Sequence, residues 1–94
     1  MKGDERVVKK LDELLSDELT AIMQYTVHAE MCGNWGYQRL HQAVENRARQ
    51  EMHHAEKLIA RIIFLEGTPT VSRLNQVRVG ADISKQLQSD LEAE

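Results

Sequence analysis

The sequence predicts an all-α protein built as an antiparallel helical hairpin, a long crossover and the start of a third helix, which together make half of a four-helix bundle. Three observations lead there. Strong helix formers (Ala, Leu, Glu, Lys, Arg and Gln) dominate a chain that holds a single proline. Two stretches of about thirty residues carry apolar positions at the helical period. A stretch of about fifteen residues without any stripe follows them, and then a short third stripe. With 94 residues the chain makes at most one domain.

The first helix is expected over about residues 4–32, opening after Gly3 with Asp4 as its N-cap. Its main stripe is Leu11, Leu14, Leu15, Glu18, Ala21, Ile22, Tyr25 and Ala29, with Glu18 in the middle. A buried glutamate is costly unless it is paired. Leu19, Met23, Thr26 and Val27 form a second strip to one side, so this helix has more than one face to cover.

Gly33-Asn34 breaks the pattern, and Asn34 is expected to cap a second helix running over about residues 35–66. So short a break makes the pair an antiparallel hairpin. At about 100° per residue, Val44, Ala48, Glu51, His54, Ala55, Leu58 and Ile62 share one face, which points Glu51 and His54 toward the core. Both side chains can ligate a metal. A Glu-x-x-His at i, i+3 is the arrangement from which helical bundles build di-iron carboxylate sites, with a lone Glu from a neighbouring helix. Met52, Ile59 and Ile63 lie in a band of their own, which spacing alone reads as a packing seam with methionine filling gaps.

Gly67 and Thr68-Pro69-Thr70 end the second helix. Residues 67–81, fully extended, reach ~50 Å, enough to run the length of a thirty-residue helix. Such a crossover after a hairpin is a device of four-helix bundles. Asp82 then caps a third helix over about residues 82–94, with the stripe Ile83, Leu87, Leu91 and Glu94.

Composition narrows the function classes. A net charge of −3 without a basic tail argues against nucleic acid as a partner. The single Cys32 excludes a disulfide framework and any cysteine-rich metal module. A reducing, cytoplasmic setting is the expectation, and no apolar run is long enough to span a membrane. His53 lies roughly opposite the Glu51 and His54 face, His28 and His41 have no partner at ligand spacing, and all three read as solvated or hydrogen-bonded helix residues.

Several motifs in order resemble the bacterioferritins of the ferritin-like superfamily: Met1-Lys2-Gly3-Asp4, Glu18-Leu19-Thr20-Ala21-Ile22-Met23-Gln24-Tyr25, Asn34-Trp35-Gly36, Glu51-Met52-His53-His54-Ala55-Glu56 and Phe64-Leu65-Glu66-Gly67-Thr68-Pro69. The resemblance covers nearly the whole chain and about half of such a subunit. It implies iron storage and detoxification in a hollow shell of twenty-four subunits, with Fe(II) oxidised to Fe(III) by O2 or peroxide at a di-iron ferroxidase site. It also implies haem b between subunits related by a two-fold axis.

Matched residue by residue, Glu18 corresponds to a terminal carboxylate, Glu51 to a bridging carboxylate, His54 to an imidazole ligand and Glu94 to the carboxylate of the third helix. Met52 corresponds to the haem ligand and Tyr25 to the tyrosine beside the iron. Asn46 and Gln50 stand where family members often carry a histidine and an acidic residue. The second Glu-x-x-His is not in this sequence, so ferroxidase activity requires completion of the bundle by a second half or a second copy. The alternative is a half-subunit that binds haem and supports assembly without oxidising iron.

Overall fold

The structure, a computed structural model, describes residues 2–93. Within them the chain forms α1 (Glu5–Asn34), α2 (Gln38–Phe64) and α3 (Ile83–Ala93), with no strand among the described residues. Asp4 caps α1 as expected, its Oδ1 accepting the Arg6 backbone N–H at 2.7 Å. The Arg6 side chain and then its backbone N–H hold the Asp4 carboxyl below its ordinary range.

The hairpin turn differs from the expectation. Asn34 does not cap α2; it is the last residue of α1, and α2 opens after Tyr37, which makes no side-chain cap bond. The chain reverses at Gly36, whose φ of 89° costs a glycine nothing. Gly33 is a packing residue, since a Cβ there would sit 3.1 Å from the His41 imidazole. Helix α2 likewise stops at Phe64, short of residue 66. The left-handed residue that ends it is Glu66 (φ 62°), and the N–H groups of Glu66 and Gly67 return to the carbonyls of Ile63 and Ile62 at 2.9 Å each. That pair of bonds is a Schellman motif. Gly67 is needed for space, because a Cβ there would meet Val8 at 2.7 Å.

Two apolar clusters hold α1 to α2. One is Leu15, Ala55 and Ile62, flanked by Val8, Leu11, Leu19, Ile22, Leu58 and Ile59. The other is Ala21, Tyr25, Ala29, Val44 and Ala48. Glu18 and Glu51 fall in the gap between them on their respective helices. The described chain measures 49 × 20 × 19 Å, about two helix diameters across, so one face of the hairpin stays open.

The crossover is fixed by polar groups. Asp12, Ser16, Thr20, Gln24, His28 and Cys32 follow one another at four-residue spacing, a row that climbs obliquely over a helix. Crossover backbone N–H groups donate to this row in turn: Thr70 to Asp12 Oδ1 (2.8 Å), Asn75 to Thr20 Oγ1 (2.8 Å), Arg78 to Gln24 Oε1 (3.0 Å) and Gly80 to His28 Nε2 (2.9 Å). An extended segment has no ladder of its own, so these acceptors satisfy donors that burial would otherwise strand. Thr20 completes its valence by donating to the Ser16 carbonyl at 2.7 Å.

Helix α3 then runs back along α1 on its polar side. Gln86 and Asp90 are its buried residues, whereas Leu87 and Leu91 are 48% and 69% exposed. The stripe expected to face inward therefore faces outward. The reason lies on α1, which presents Gln24, His28 and Cys32 rather than an apolar groove. Asp90 Oδ1 accepts from Gln24 Nε2 (3.0 Å) and from His28 Nδ1 (2.9 Å), and the Cys32 thiol donates to Gln86 Oε1 at 3.3 Å. Gln86 Nε2 donates to the Gly80 carbonyl at 3.2 Å.

Gly80 is the tightest point of this assembly. A Cβ there would lie 2.4 Å from the Gln86 backbone nitrogen, and backbone cannot rotate aside. Gly80→Ala is expected to cost about 2–3 kcal/mol, the range of a severe steric lesion, and to speed hydrogen exchange in α3 while leaving the hairpin protected. Unchanged exchange in α3 would show that the contact relaxes.

Burial, and then the charge of Asp90, push the Cys32 thiol above its ordinary value of 9.0. The folded state thus keeps its proton to higher pH than the unfolded chain does. Its contribution to stability is complete below pH 9.0 and declines as pH rises above it. Cys32 is fully enclosed, so the thiol is expected to resist alkylation at pH 8 until denaturant is added, with mass spectrometry as the check.

Candidate metal centre

Glu18 of α1 and Glu51 and His54 of α2 converge on one point, their donor atoms all within 4.8 Å of one another. His54 Nδ1 lies 3.7 Å from Glu18 Oε2 and 3.6 Å from Glu51 Oε2. Both separations exceed a hydrogen bond, and both fall inside the ~4.2 Å that two ligands with bonds near 2.1 Å can span on one ion. The hairpin positions the three because α1 and α2 are antiparallel: one turn separates Glu51 from His54, and Glu18 faces them across the gap between the two apolar clusters.

Glu18 Oε2 is buried and accepts no hydrogen bond among the described residues. A carboxylate oxygen removed from water without a donor is costly. A cation is the partner that such an atom fits. The donor set of two carboxylates and an imidazole suits iron and other first-row divalent metals, so the residues present fit the group.

The helical face pointed Glu51 and His54 toward the core; in this chain the site is instead partly exposed. The His54 side chain is 56% exposed, and those of Glu18 and Glu51 are 27% and 25%. They line a cleft of about 670 Å³ on the open face of the hairpin. Its far wall is built by crossover residues Asn75, Gln76 and Arg78 and by Ser89, Glu92 and Ala93 of α3. Arg78 is tied to Glu92 at 3.2 Å across that wall. Glu94 lies outside the described residues, and the residue before it lines the cleft.

Tyr25 also borders the cleft but is itself buried, at 1% exposure. Its hydroxyl accepts a hydrogen bond from Arg47 at 3.0 Å, and the guanidinium carbon lies 4.5 Å from the ring centroid. This cation contact was not legible in the sequence, since Arg47 and Tyr25 are far apart in the chain. Met52 is 42% exposed, as is Met23 of the neighbouring helix flank. His53 is exposed. His28 is hydrogen-bonded rather than solvated, fully buried in the crossover network.

The comparisons agree with the all-α fold. A family model described as ferritin-like domain matches residues 8–94. The chain belongs to the ferritin-like family. Among its relatives, a bacterioferritin of Brucella melitensis is 40% identical over all 94 residues, and the match takes in 58% of that relative. A bacterial ferritin of Paramagnetospirillum magnetotacticum is 42% identical over the same 94 residues, 57% of its length. Bacterioferritin BfrA of Mycobacterium tuberculosis is 39% identical, again over the whole chain and 59% of its own length. The ferritin-like chain thus spans somewhat more than half the length of the curated relatives it matches. None of its described helices is long and apolar enough to cross a membrane.

Proposed function

We propose that this ferritin-like chain serves iron storage and detoxification in the cytoplasm by carrying part of a di-iron ferroxidase centre. The observation that supports the reading most strongly is the buried, unbonded Glu18 Oε2 facing Glu51 and His54. In this reading Glu18 would be a terminal carboxylate ligand, Glu51 the bridging carboxylate and His54 an imidazole ligand. Glu94 supplies a further carboxylate from the third helix. The remaining carboxylate and imidazole come from a second half that closes the open face; where a second copy closes it instead, Glu18, Glu51 and His54 each appear twice and Glu94 is dispensable.

Each Fe(II) held there would give up one electron to O2 or peroxide, and hard oxygen ligands would favour the ferric product. The chain's own contribution is placement. Antiparallel helices hold the two carboxylates between the apolar clusters, with Glu18 Oε2 unbonded, and the cleft gives ions a route in. Assembly into a twenty-four-subunit shell, beginning from a two-fold dimer, would store the product and cover the exposed apolar side chains Val7, Met23, Val27, Met52, Ile63 and Phe64. Haem b, if bound, would sit at Met52, one sulfur from each of two subunits. Neither nucleic acid nor membrane enters the reading.

Oxygen consumption on addition of Fe(II) tests the proposal. Glu51→Ala is expected to reduce it at least about tenfold with helicity retained, and an unchanged rate would overturn the reading. Met52→Leu is expected to remove any bis-methionine haem spectrum and leave Fe(II)-dependent uptake intact. A Soret band without Fe(II)-dependent uptake would favour the alternative, a haem-binding half-subunit that supports assembly.

A further inference from the structure

We propose that Glu30, His41 and Glu45, beside the turn that closes the hairpin, form a second binding site for a divalent first-row transition cation. Their donor atoms lie within 4.8 Å of one another. The site is separate from the first: twelve residues along α1 from Glu18 to Glu30 correspond to roughly 18 Å.

His41 is the residue that makes this more than a pair of surface acids. Its Nδ1 lies 2.6 Å from the Ala29 carbonyl oxygen. A carbonyl only accepts, so Nδ1 carries a proton and donates it. In the neutral ring the other nitrogen, Nε2, is then a lone pair. Anchoring one imidazole nitrogen on a backbone carbonyl is how a protein fixes the tautomer and direction of a metal-binding histidine.

That lone pair faces a second acceptor. His41 Nε2 lies 3.6 Å from Glu45 Oε2, too far for a good hydrogen bond and within the ~4.2 Å spanned by two ligands on one ion. The other Glu45 oxygen, Oε1, is occupied by Arg49 Nη2 at 3.0 Å. Arg49 therefore orients the carboxylate and leaves Oε2 directed at His41. Glu30 brings a second carboxylate from the neighbouring helix, so two acids offset the two charges of the ion.

The ring itself is held in place. His41 is part-buried, and the glycine at position 33 leaves room for it where a Cβ would crowd Nδ1 at 3.1 Å. One donor comes from the end of α1 and two from the first turns of α2, so a bound cation would cross-link the two helices beside their turn. A mixed imidazole and carboxylate set selects zinc, iron and their neighbours over calcium or magnesium.

The test uses the full chain with Glu18→Ala, Glu51→Ala and His54→Ala, which removes the first centre, and zinc(II) as the probe. Isothermal titration is expected to show one zinc per chain. The ¹⁵N resonance of His41 Nε2 should shift on zinc addition while Nδ1 stays protonated. Glu45→Gln, which leaves the His41 bond to Ala29 intact, and Glu30→Gln are each expected to weaken zinc binding at least about tenfold. His41→Asn should abolish it, with circular dichroism as the control for folding. No zinc uptake by the triple variant, or uptake indifferent to Glu45→Gln and Glu30→Gln, overturns the proposal.

Discussion

Alanine in place of His28 is expected to release the crossover and α3 from the hairpin, at a cost of about 3 kcal/mol. The imidazole accepts the Gly80 N–H at Nε2 and donates to Asp90 from Nδ1, and it is fully buried. Removing it strands the Gly80 N–H and takes from the buried Asp90 Oδ1 one of its two donors, leaving only Gln24 Nε2 at 3.0 Å. An unmet buried donor costs about 1–3 kcal/mol and a buried carboxylate more. The sum is limited because α3 can leave and rehydrate both groups. Hydrogen exchange should accordingly report loss of protection over residues 70–93, with the two apolar clusters of the hairpin unaffected. Asparagine at position 28, which can reach only one of the two partners, is expected to recover less than half of the loss. If His28→Ala left exchange in α3 unchanged, the network would be incidental to docking.

Leucine in place of Glu18 is expected to do the reverse to the metal-free protein, raising its stability by about 1 kcal/mol. The unbonded Oε2 pays a desolvation cost that an apolar side chain between two apolar clusters does not. The figure is kept low because 27% of the side chain remains exposed. The same substitution should abolish the metal-linked stabilisation that depends on Glu51 and His54. A ligand at one hundred times its dissociation constant contributes about 2.7 kcal/mol, so wild type and variant should exchange rank when metal is added. Denaturation with and without zinc(II) measures both halves. A variant less stable without metal, or equally stabilised by it, would remove the case for Glu18 as a ligand. A residue that destabilises the empty fold and is repaid on binding is the pattern expected of a functional site.

The two results bear on different parts of one design. The hairpin is held by apolar contacts between α1 and α2, and its Ala-rich clusters are interrupted at Glu18 and Glu51. The crossover and α3 are held almost wholly by polar contacts with α1. The metal cleft lies between these two systems. Loosening the His28 network should therefore open the far wall of the cleft, and with it the approach to Glu18, while the Glu51 and His54 pair on α2 keeps its spacing.

By itself the sequence determined the all-α class, the hairpin, the crossover and the pairing of Glu51 with His54, whereas Glu18 joined them only through the family resemblance. All but Glu18 follow from local rules: the 3.6 period, Asp4 as a cap, and the one-turn spacing of Glu51 and His54. Only the tertiary structure decided the rest. Asn34 and Gly67 look like helix punctuation, yet the chain reverses at Gly36 and takes its left-handed residue at Glu66, because Gly33 and Gly67 are required for close packing against His41 and Val8. Leu87 and Leu91 looked like the inner stripe of α3, and Gln86 and Asp90 took that place because the surface they meet is polar. The signal for this was present as the row Asp12, Ser16, Thr20, Gln24, His28 and Cys32. Read along one helix, such a row is indistinguishable from a solvated face; it becomes buried only when a segment fifty to sixty residues later lies across it, and no local periodicity encodes that encounter.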